Sequence, residues 1–379
     1  MSEPSLRVAL DATPLLGTRT GVATFCAGAL SGLGRQRGLM VGAYAVSWRR
    51  RGGIAGQLPP GVEVLGRAMP ARPLHLAWRW LGQPPAEWFF GEVDVVHGTN
   101  FVVPPARRSA QVVTVHDLTS MRYPQMCEPA SLGFPGQVRR AVARGAWVHT
   151  PSEWVAAEVT DLLGINPERV RAVHHGSEPP SAGSVPEPER VALPPSVGRY
   201  VLALGTVEPR KDLVGLVRAF DQLAGDRPDA GLVIAGADGW GAAALGEAVA
   251  GSAYGERIVR LGYVSPGARE WLLRGAEVLA YPSVYEGFGL PPLEAMVRGV
   301  PVVATRAGAL VEVLGDGADL VAVGDPVELA GAVSRLLDDG AAAAELGERG
   351  KRRAAAFSWD RCADGLVSLY RDAVAECQA

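Results

Sequence analysis

The sequence contains very little lysine and very little cysteine. Lys211 and Lys351 are its only lysines, so arginine supplies nearly all the positive charge of this 379-residue chain. We attribute that bias to genome composition and derive no function from it. The cysteines lack the paired spacing of a metal site, which favours free thiols in a reducing compartment; they are Cys26, Cys127, Cys362 and Cys377.

Long apolar runs are also absent. Glycine, proline or a charged residue interrupts every apolar stretch before it reaches the length of a transmembrane helix. The opening residues, MSEPSLRVALDATPLLG, place no basic region before an apolar one, so we predict no secretory signal. We therefore expect a cytoplasmic protein, either free or held peripherally at the inner face of the membrane.

The charge is unevenly distributed along the chain. Residues 1–180 carry 18 arginines and 13 acidic residues, a net charge of +5, whereas the remainder carries 19 basic and 27 acidic residues, a net charge of −8. A basic first half suits an anionic membrane surface or an anionic acceptor, although a solvated basic face is the commoner explanation. We expect no nucleic-acid partner.

Two segments of the first half bear on that alternative. Arg49, Arg50 and Arg51 form a basic cluster. Residues 76–90 are rich in aromatic side chains: Trp78, Trp80, Trp88, Phe89 and Phe90. An aromatic cluster most often packs in a core or at a domain interface, and a surface that meets a membrane or an acceptor is the alternative.

Short apolar strands alternate with helical patterns along the chain, which predicts parallel sheets covered by helices. An apolar content of 48% and a length of 379 residues suit two globular domains. We place strands at residues 6–10, 41–46, 62–65, 93–96, 112–115, 147–149, 169–173, 200–204, 232–234, 258–261, 278–281, 300–304 and 320–323. We expect an α/β protein with domains at 1–178 and 199–356, an aperiodic Pro-, Ser- and Gly-rich linker at 179–198, and a C-terminal helix at 357–379.

Residues 281–296, YPSVYEGFGLPPLEAM, combine a strand end, a glycine turn and a helix start. Gly287 and Gly289 allow a sharp turn and leave backbone N–H groups open to a ligand. Glu286 before the turn and Glu294 inside the helix can both reach the space above the strand end, where open α/β sheets bind ligands. Carboxylates accept from sugar hydroxyls and a helix N-terminus favours phosphate, although an ordinary strand–helix junction explains the same pattern.

A second loop, residues 205–212 with the sequence GTVEPRKD, follows another predicted strand of the same sheet. Gly205 permits close approach of the backbone to a ligand. Arg210 and Lys211 place two cations beside the start of a helix near Asp212, which suits a diphosphate, although surface cations are the commoner explanation. The two loops together can hold both ends of a sugar nucleotide.

Two strands of the first half end in histidine, at His97 in VDVVHG and at His116 in VVTVHD. A hydrogen-bonded structural histidine is the usual explanation of such a residue. His116 is the stronger candidate for a site, because it and Asp117 form a polar pair directly after an apolar strand and so require a partner or solvent.

Together these motifs resemble family 4 glycosyltransferases, which are retaining enzymes of the GT-B fold, and especially their mannosyltransferase-like members. Glu286 and Glu294 form a Glu-x7-Glu motif inside EGFGLPPLE, and GTVEPRKD is similar to the family's phosphate loop. The likeness extends to VTVHDLTSMRYP, TPSEW and FSWDR, so it covers nearly the whole chain. It implies two Rossmann-like domains that face each other across a cleft, the first for the acceptor and the second for the donor, with the C-terminal helix crossing back to the N-terminal domain.

The resemblance also implies a role for each motif residue. Arg210 and Lys211 would bind the donor diphosphate, Glu294 the ribose hydroxyls and Glu286 the donor sugar. His116 with Asp117 would face the transferred sugar, so the implied catalytic residues are His116, Asp117, Arg210, Lys211 and Glu286. Residues on the neighbouring loops complete the donor-binding set: Gly21, Gly205, Thr206, Tyr263, Val264, Gly287, Phe288, Gly289, Leu290 and Glu294.

The implied reaction moves a hexose, with mannose favoured, from a nucleotide diphosphate sugar to a hydroxyl of a glycan, a lipid-linked or a secondary-metabolite acceptor. It proceeds with retention at the anomeric carbon, GDP-mannose is favoured over a UDP-sugar, and no cofactor is expected. No Asp-x-Asp pair occurs in the chain, so we expect no catalytic metal, with Arg210 and Lys211 taking its charge role. A sugar-nucleotide epimerase on the same fold and a non-catalytic subunit that binds sugar nucleotides are the alternatives.

Overall fold

The computed structural model describes residues 6–18, 20–48, 51–66, 69–179, 183 and 186–378. Arg49 and Arg50 of the predicted basic cluster and residues 180–182, 184 and 185 of the predicted linker lie outside these ranges. The chain divides into two compact units, one formed by Met1–Gly176 with Phe357–Ala379 and the other by Ser177–Ala356. Within the described residues, no helix has the length and apolar composition needed to cross a membrane.

The first unit is built on a parallel sheet with the strand order β3-β2-β1-β4-β5-β6-β7 in its described part. The strands are β1 (Leu6–Asp11), β2 (Leu39–Tyr44), β3 (Val62–Val64), β4 (Val95–Gly98), β5 (Ala110–Thr114), β6 (Trp147–Thr150) and β7 (Val170–Ala172). The helices are α1 (Gly21–Gly34), α2 (Ala71–Trp80), α3 (Glu87–Phe90), α4 (Thr119–Arg122), α5 (Phe134–Ala143), α6 (Glu153–Leu163) and, from the end of the chain, α14 (Trp359–Gln378).

Helix α14 packs into the core of the first unit against α1 and the sheet. Its buried stripe has the 3–4 spacing predicted from the sequence: Trp359, Cys362, Leu366, Leu369 and Ala373. Gly28 and Gly32 of α1 make room for Trp359, since a Cβ on Gly28 would lie 2.0 Å from Trp359 Cε2 and one on Gly32 would lie 2.3 Å from its backbone oxygen. The close approach of α14 to α1 therefore depends on glycine.

The second unit contains a parallel sheet with the order β10-β9-β8-β11-β12-β13 in its described part. The strands are β8 (Arg199–Leu204), β9 (Ala230–Ala235), β10 (Ile258–Gly262), β11 (Val278–Tyr281), β12 (Val302–Thr305) and β13 (Asp319–Val321). The helices are α7 (Leu213–Ala224), α8 (Ala242–Gly251), α9 (Pro266–Gly275), α10 (Leu290–Val297), α11 (Leu310–Leu314), α12 (Pro326–Asp338) and α13 (Gly340–Ala354).

The strand order of the second unit explains where a ligand can bind. The chain runs outward from β8 through β9 to β10 and then returns to β11, which pairs with β8 on its other side. Such a reversal leaves a crevice at the carboxyl ends of the two central strands, the usual ligand position in open α/β sheets. The predicted fold class, two parallel Rossmann-like sheets in an α/β protein, is confirmed.

The observed boundaries differ from the predicted ones in detail. The first unit ends at Gly176 rather than 178, and the predicted linker residues belong to the second unit. Glu187–Glu189 form a short 3-10 turn, and the Glu189 carboxylate accepts a hydrogen bond from the Ser265 hydroxyl. The described end of the predicted linker therefore packs on the second unit, because Glu189 is hydrogen-bonded to Ser265 of that unit.

Candidate active site

The loops that follow β8 and β9 approach each other at the carboxyl edge of the second sheet. Gly205 and Gly236 both have positive φ angles, of 145° and 159°. A Cβ on Gly236 would lie 1.9 Å from the Gly205 carbonyl oxygen, so only glycine permits this approach. Further along the loop after β8, Pro209–Lys211 forms a 3-10 turn, and Asp212 then caps α7 by accepting from the Gly215 N–H at 3.0 Å.

Arg210, Lys211 and Glu286 come together beside these loops. Lys211 is 8% exposed and Glu286 5%. The Lys211 ammonium contacts Oε1 of Glu286, and Nη1 of Arg210 lies 3.0 Å from the same oxygen. Lys211 also donates to the Tyr281 hydroxyl, which in turn donates to Glu286 Oε1 at 3.1 Å. Arg210 and Lys211, predicted to bind the donor diphosphate, thus contact Glu286, which is predicted to bind the donor sugar.

The charges of this cluster are tightly coupled. Burial alone would raise the pKa of Glu286, but the Lys211 ammonium and the Arg210 guanidinium outweigh it and lower the pKa to about 2. Burial and Arg210 lower the pKa of Lys211, while Glu286 opposes that shift. Arg210 also pairs with Glu208 at 2.8 Å. The formal charges of Glu208, Arg210, Lys211 and Glu286 therefore cancel, and Glu286 is ionised at neutral pH.

Backbone contacts hold the Glu286 loop in place. The Val284 N–H donates to the Arg210 carbonyl at 2.7 Å, and the Ala309 N–H donates to the Glu286 carbonyl at 2.9 Å. Gly308 has a φ of +55°, and a Cβ there would lie 2.3 Å from the Glu286 carbonyl oxygen. The loop after β12 therefore packs directly against the Glu286 backbone.

The Glu-x7-Glu residues have different environments. Gly289, with a φ of 100°, is the N-cap of α10, and Glu294 lies inside that helix, as predicted, as the fifth of its eight residues. Glu294 pairs with Arg269 of α9 through two contacts, at 2.7 Å to Nε and 2.5 Å to Nη2. The structure therefore places Glu294 in an ion pair with Arg269 and Glu286 in the lysine cluster.

The remaining predicted donor-binding residues lie on loops along the same sheet edge. Thr206 follows β8, whereas Tyr263 and Val264 follow β10. Strand β10 lies two strands from β8 and three strands from β11. Neighbouring strands are about 4.8 Å apart, so the loops of β10 and β11 are separated by about 14 Å. Tyr263 is 51% exposed. The turn after β11 is buried, including three predicted residues: Gly287, Phe288 and Leu290.

Three residues of this region were missed by the sequence interpretation. Tyr281 bridges Lys211 and Glu286, Glu208 pairs with Arg210, and Arg269 pairs with Glu294. Tyr281 carried a usable signal, because a hydroxyl at the end of an apolar strand needs a partner. Arg269 carried none, because its partner lies on another helix 25 positions away.

The first unit holds the other predicted residues. His116 Nε2 lies 2.8 Å from the Thr99 carbonyl oxygen, and burial lowers the pKa of His116. Asp117 accepts from the Thr119 N–H at 2.9 Å and hydroxyl at 2.7 Å, so its carboxylate caps the α4 turn. Gly21 is the first residue of α1, whereas the sequence predicted a loop there; the buried residues of the helix begin two positions later, at Ala23.

His97 belongs to a buried hydrogen-bond chain beneath this region. Its Nδ1 lies 2.6 Å from the Tyr370 hydroxyl and its Nε2 lies 2.7 Å from Thr114 Oγ1, which lies 2.9 Å from His149 Nδ1. His149 Nε2 lies 3.1 Å from the Val173 carbonyl oxygen. A carbonyl only accepts, so with neutral imidazoles every bond runs in one direction, from Tyr370 through His97, Thr114 and His149 to Val173.

The burial of these histidines keeps them neutral. Burial lowers the pKa of His97 and His175 well below the usual range and lowers that of His149 to about 3. Within the described residues, no group of three or more His, Cys, Asp or Glu side chains is arranged to hold a metal ion. His97 thus fits the structural alternative considered from the sequence, because both ring nitrogens have hydrogen-bond partners.

Comparison with known proteins gives the class. A family model described as "Glycosyltransferase Family 4" matches residues 20–179, and one described as "Glycosyl transferases group 1" matches residues 187–353. O-antigen chain mannosyltransferase B of Escherichia coli is 30% identical over 286 residues, which cover 73% of this chain and 74% of that protein. A D-inositol 3-phosphate glycosyltransferase of Acidothermus cellulolyticus is 31% identical over 308 residues, covering 76% of this chain and 66% of that protein.

Solved structures agree on the fold. Sucrose-phosphate synthase of Thermosynechococcus elongatus superposes with a TM-score of 0.74 at 20% identity, covering 98% of this chain and 100% of that one. Anabaena HepE in complex with UDP-glucose gives a TM-score of 0.68 at 17% identity, covering 98% of each chain. The fold and the family models define a glycosyltransferase of the GT-B class. The chain belongs to glycosyltransferase family 4, which confirms the resemblance seen in its motifs.

Proposed function

We propose that this glycosyltransferase is retaining and metal-independent and moves a hexose, with mannose favoured, from a nucleotide diphosphate sugar to a hydroxyl of a glycan, lipid-linked or secondary-metabolite acceptor. Two mannosyltransferases among its relatives support mannose: the Escherichia coli protein and MMP alpha-(1->4)-mannosyltransferase of Mycolicibacterium hassiacum. The latter is 49% identical over 112 residues, covering 28% of this chain and 27% of that protein. GDP-mannose is the favoured donor, and no cofactor is required. Anabaena HepE, solved in complexes with UDP and with UDP-glucose, supports a nucleotide diphosphate sugar as the donor class.

The observation that carries this proposal is the Arg210–Lys211–Glu286 cluster at the carboxyl ends of β8 and β11. An ammonium has three N–H donors, and Lys211 directs two of them to Tyr281 and Glu286. The third can reach a phosphate oxygen of the donor, and Arg210, whose side chain is 18% exposed, can reach another. Both cations would then stabilise the negative charge that develops on the departing diphosphate.

Glu286 would hold the sugar. The described contacts of Lys211, Arg210 and Tyr281 converge on Oε1, so Oε2 would accept hydrogen bonds from donor-sugar hydroxyls. Glu294, oriented by Arg269, would accept from the ribose hydroxyls. Retention would follow if the leaving phosphate helps to deprotonate the acceptor hydroxyl on the same face of the sugar. His116 and Asp117 would contact the transferred sugar, as the family resemblance implies.

The test combines donor binding with product analysis. A thermal-shift panel of GDP-, UDP- and ADP-sugars should show the largest stabilisation with GDP-mannose, because a bound ligand raises apparent stability. NMR of the product should show the anomeric configuration of the donor. Lys211→Ala should lower turnover by about 100-fold or more. Its matched control is Lys351→Ala, since Lys351 is the only other lysine and is exposed on α13. Equal rates for both variants, or an inverted product, would contradict the proposal.

Two alternatives predict different kinetics. An epimerase would convert the sugar nucleotide without an acceptor and release no nucleoside diphosphate, whereas a non-catalytic subunit would bind the donor and turn over nothing. Acceptor-dependent release of nucleoside diphosphate supports transfer over both. The cytoplasmic location and the peripheral membrane contact stay predictions, to be tested by fractionation of the native host.

A further inference from the structure

The aromatic cluster at residues 76–90 divides into a buried half and an exposed half. Trp78 and Phe90 are 3% and 9% exposed and belong to the core of the first unit. The exposed half, which we call the α2–α3 patch, comprises four side chains that are 57% to 74% exposed: Leu76, Trp80, Leu81 and Trp88. Exposed apolar side chains this large and this close in sequence need an explanation.

The patch belongs to a well-anchored segment. Leu74 and Trp78 bury the opposite face of α2, and Trp78 Nε1 donates to the Pro84 carbonyl at 3.0 Å. The Ala86 N–H donates to the Pro105 carbonyl at 2.7 Å, which ties the loop between α2 and α3 to the unit. The exposure of Trp80 and Trp88 therefore follows from which helix face packs inward.

The charge around the patch is mainly positive. Residues 69–86 contain Arg72 and Arg79, both exposed, and no acidic residue. The Arg79 guanidinium carbon lies 5.1 Å from the centroid of the Trp80 ring. The nearest acid in the following sequence, Glu87, accepts from the backbone N–H groups of Arg107 and Arg108, each at 2.8 Å.

That capping contact also brings two more cations to the patch. Arg107 and Arg108 are exposed, and their backbone is held at the start of α3, one residue before Trp88. The patch thus has two leucines and two tryptophans, with two arginines in its own segment and two more held beside α3. Burial would raise the pKa of Glu87, but backbone hydrogen bonds outweigh it and lower the pKa, so the ionised carboxylate offsets one of the four arginines and the rim of the patch stays positive.

We propose that the α2–α3 patch docks on an anionic phospholipid bilayer. Tryptophan rings favour the headgroup level of a membrane, leucine side chains insert into its apolar boundary, and arginines bind lipid phosphates. A glycan would stack on the tryptophans but would gain no hydrogen bond from Leu76 or Leu81, which lie on either side of Trp80 in sequence. The patch goes beyond the transfer reaction, because none of its residues belongs to the proposed donor site.

Vesicle co-sedimentation of the full chain tests the proposal. At low salt, the protein should bind phosphatidylcholine vesicles that contain about 40% phosphatidylglycerol. It should bind pure phosphatidylcholine vesicles at least tenfold less, and high salt should weaken binding. Trp80→Ser with Trp88→Ser should lower the bound fraction about tenfold or more. Arg72→Gln and Arg79→Gln should each weaken binding about fivefold.

Trp154→Ser is the matched control, because Trp154 is 46% exposed on α6 of the same unit and lies outside the patch. It should bind vesicles like the unchanged chain, and circular dichroism should show that all variants are folded. Failure of the unchanged chain to bind anionic vesicles would overturn the proposal, as would equal binding by the double tryptophan variant. Two other outcomes would assign the patch to another partner and also overturn the proposal. One is a dimer that the double tryptophan variant abolishes, and the other is quenching of tryptophan fluorescence by a soluble glycan without vesicle binding. Donor binding is measured separately, so failure here leaves the transfer proposal standing.

Discussion

The ammonium of Lys211 contacts the carboxylate of Glu286 across 75 positions of sequence. The contact exists because β8 and β11 are adjacent in the sheet, so the loops that follow them meet at one edge. Both side chains are almost fully buried, and each is the main countercharge of the other. Removing either partner of such a buried pair should therefore change both the stability of the protein and its binding of ligand.

The first prediction concerns the coupling of this pair. Lys211→Met should destabilise the second unit by about 3 kcal/mol, because it leaves the buried Glu286 carboxylate with one cation fewer. Glu286→Gln should have a similar cost, and the double variant should cost less than the sum by about 1–3 kcal/mol. Urea unfolding at pH 7 measures all three. Lys351→Met, which breaks an exposed pair with Glu348, should cost under about 1 kcal/mol. Strict additivity would contradict the coupling.

A second prediction uses two glycines with the same kind of backbone. Gly308 and Gly324 have φ angles of +55° and +74°, but only Gly308 would bring a Cβ against the Glu286 backbone. Gly324 has nothing within 4 Å of that position. Each alanine variant should therefore lose about 1–2 kcal/mol to strain. Gly308→Ala should also displace Glu286 and lower kcat/KM by about 100-fold, whereas Gly324→Ala should keep it. Equal kcat/KM values for the two variants would be inconsistent with this geometry.

The third prediction is a pH dependence. His149 has a pKa of about 3 in the folded protein against an ordinary value of 6.5. Between these values the unfolded chain binds one proton more than the folded one, so stability falls as pH falls below 6.5. The slope is about 1.4 kcal/mol per pH unit for each such histidine.

His149→Gln should reduce that slope by about 1.4 kcal/mol per pH unit between pH 6 and pH 5, measured by urea unfolding. The control is His174→Gln, because His174 is exposed and lies outside the buried hydrogen-bond chain. An unchanged slope in His149→Gln would show that this imidazole is not held neutral.

A fourth prediction concerns Arg269. If its guanidinium orients Glu294 on the donor, Arg269→Met should raise the donor Kd about tenfold while kcat changes less. Combining it with Glu294→Gln should add little, because both changes remove the same ion pair. Arg335→Met, which breaks the exposed pair with Asp319, serves as the control and should leave the donor Kd unchanged. If the double variant loses donor affinity by the sum of the two single losses, Arg269 and Glu294 act independently and the prediction is wrong.

The fifth prediction concerns metal. Addition of EDTA should leave the transfer rate intact, since Arg210 and Lys211 supply the positive charge beside the leaving group. Dialysis against EDTA followed by a rate assay with and without added Mg²⁺ is the measurement. A large loss of rate that Mg²⁺ restores would refute metal independence.

Much of the fold was predictable because apolar strands of four to six residues are strong local signals. Most predicted strand ends agree with the structure to within two residues. The Gly21 region was less predictable, because a glycine at a helix start resembles a loop until the buried stripe that follows is placed. Arg269 was not predictable, because its contact with Glu294 depends on how α9 packs beside α10.

The sequence alone assigns the loops of Lys211 and Glu286 to the ends of strands in one parallel sheet, since strand periodicity and the order of the motifs are local properties. Folding of the whole chain makes β8 and β11 adjacent, buries the lysine against the carboxylate, and leaves Trp80 rather than Trp78 facing water. Strand order and the choice of buried helix face arise from packing between distant segments, and no local pattern encodes them.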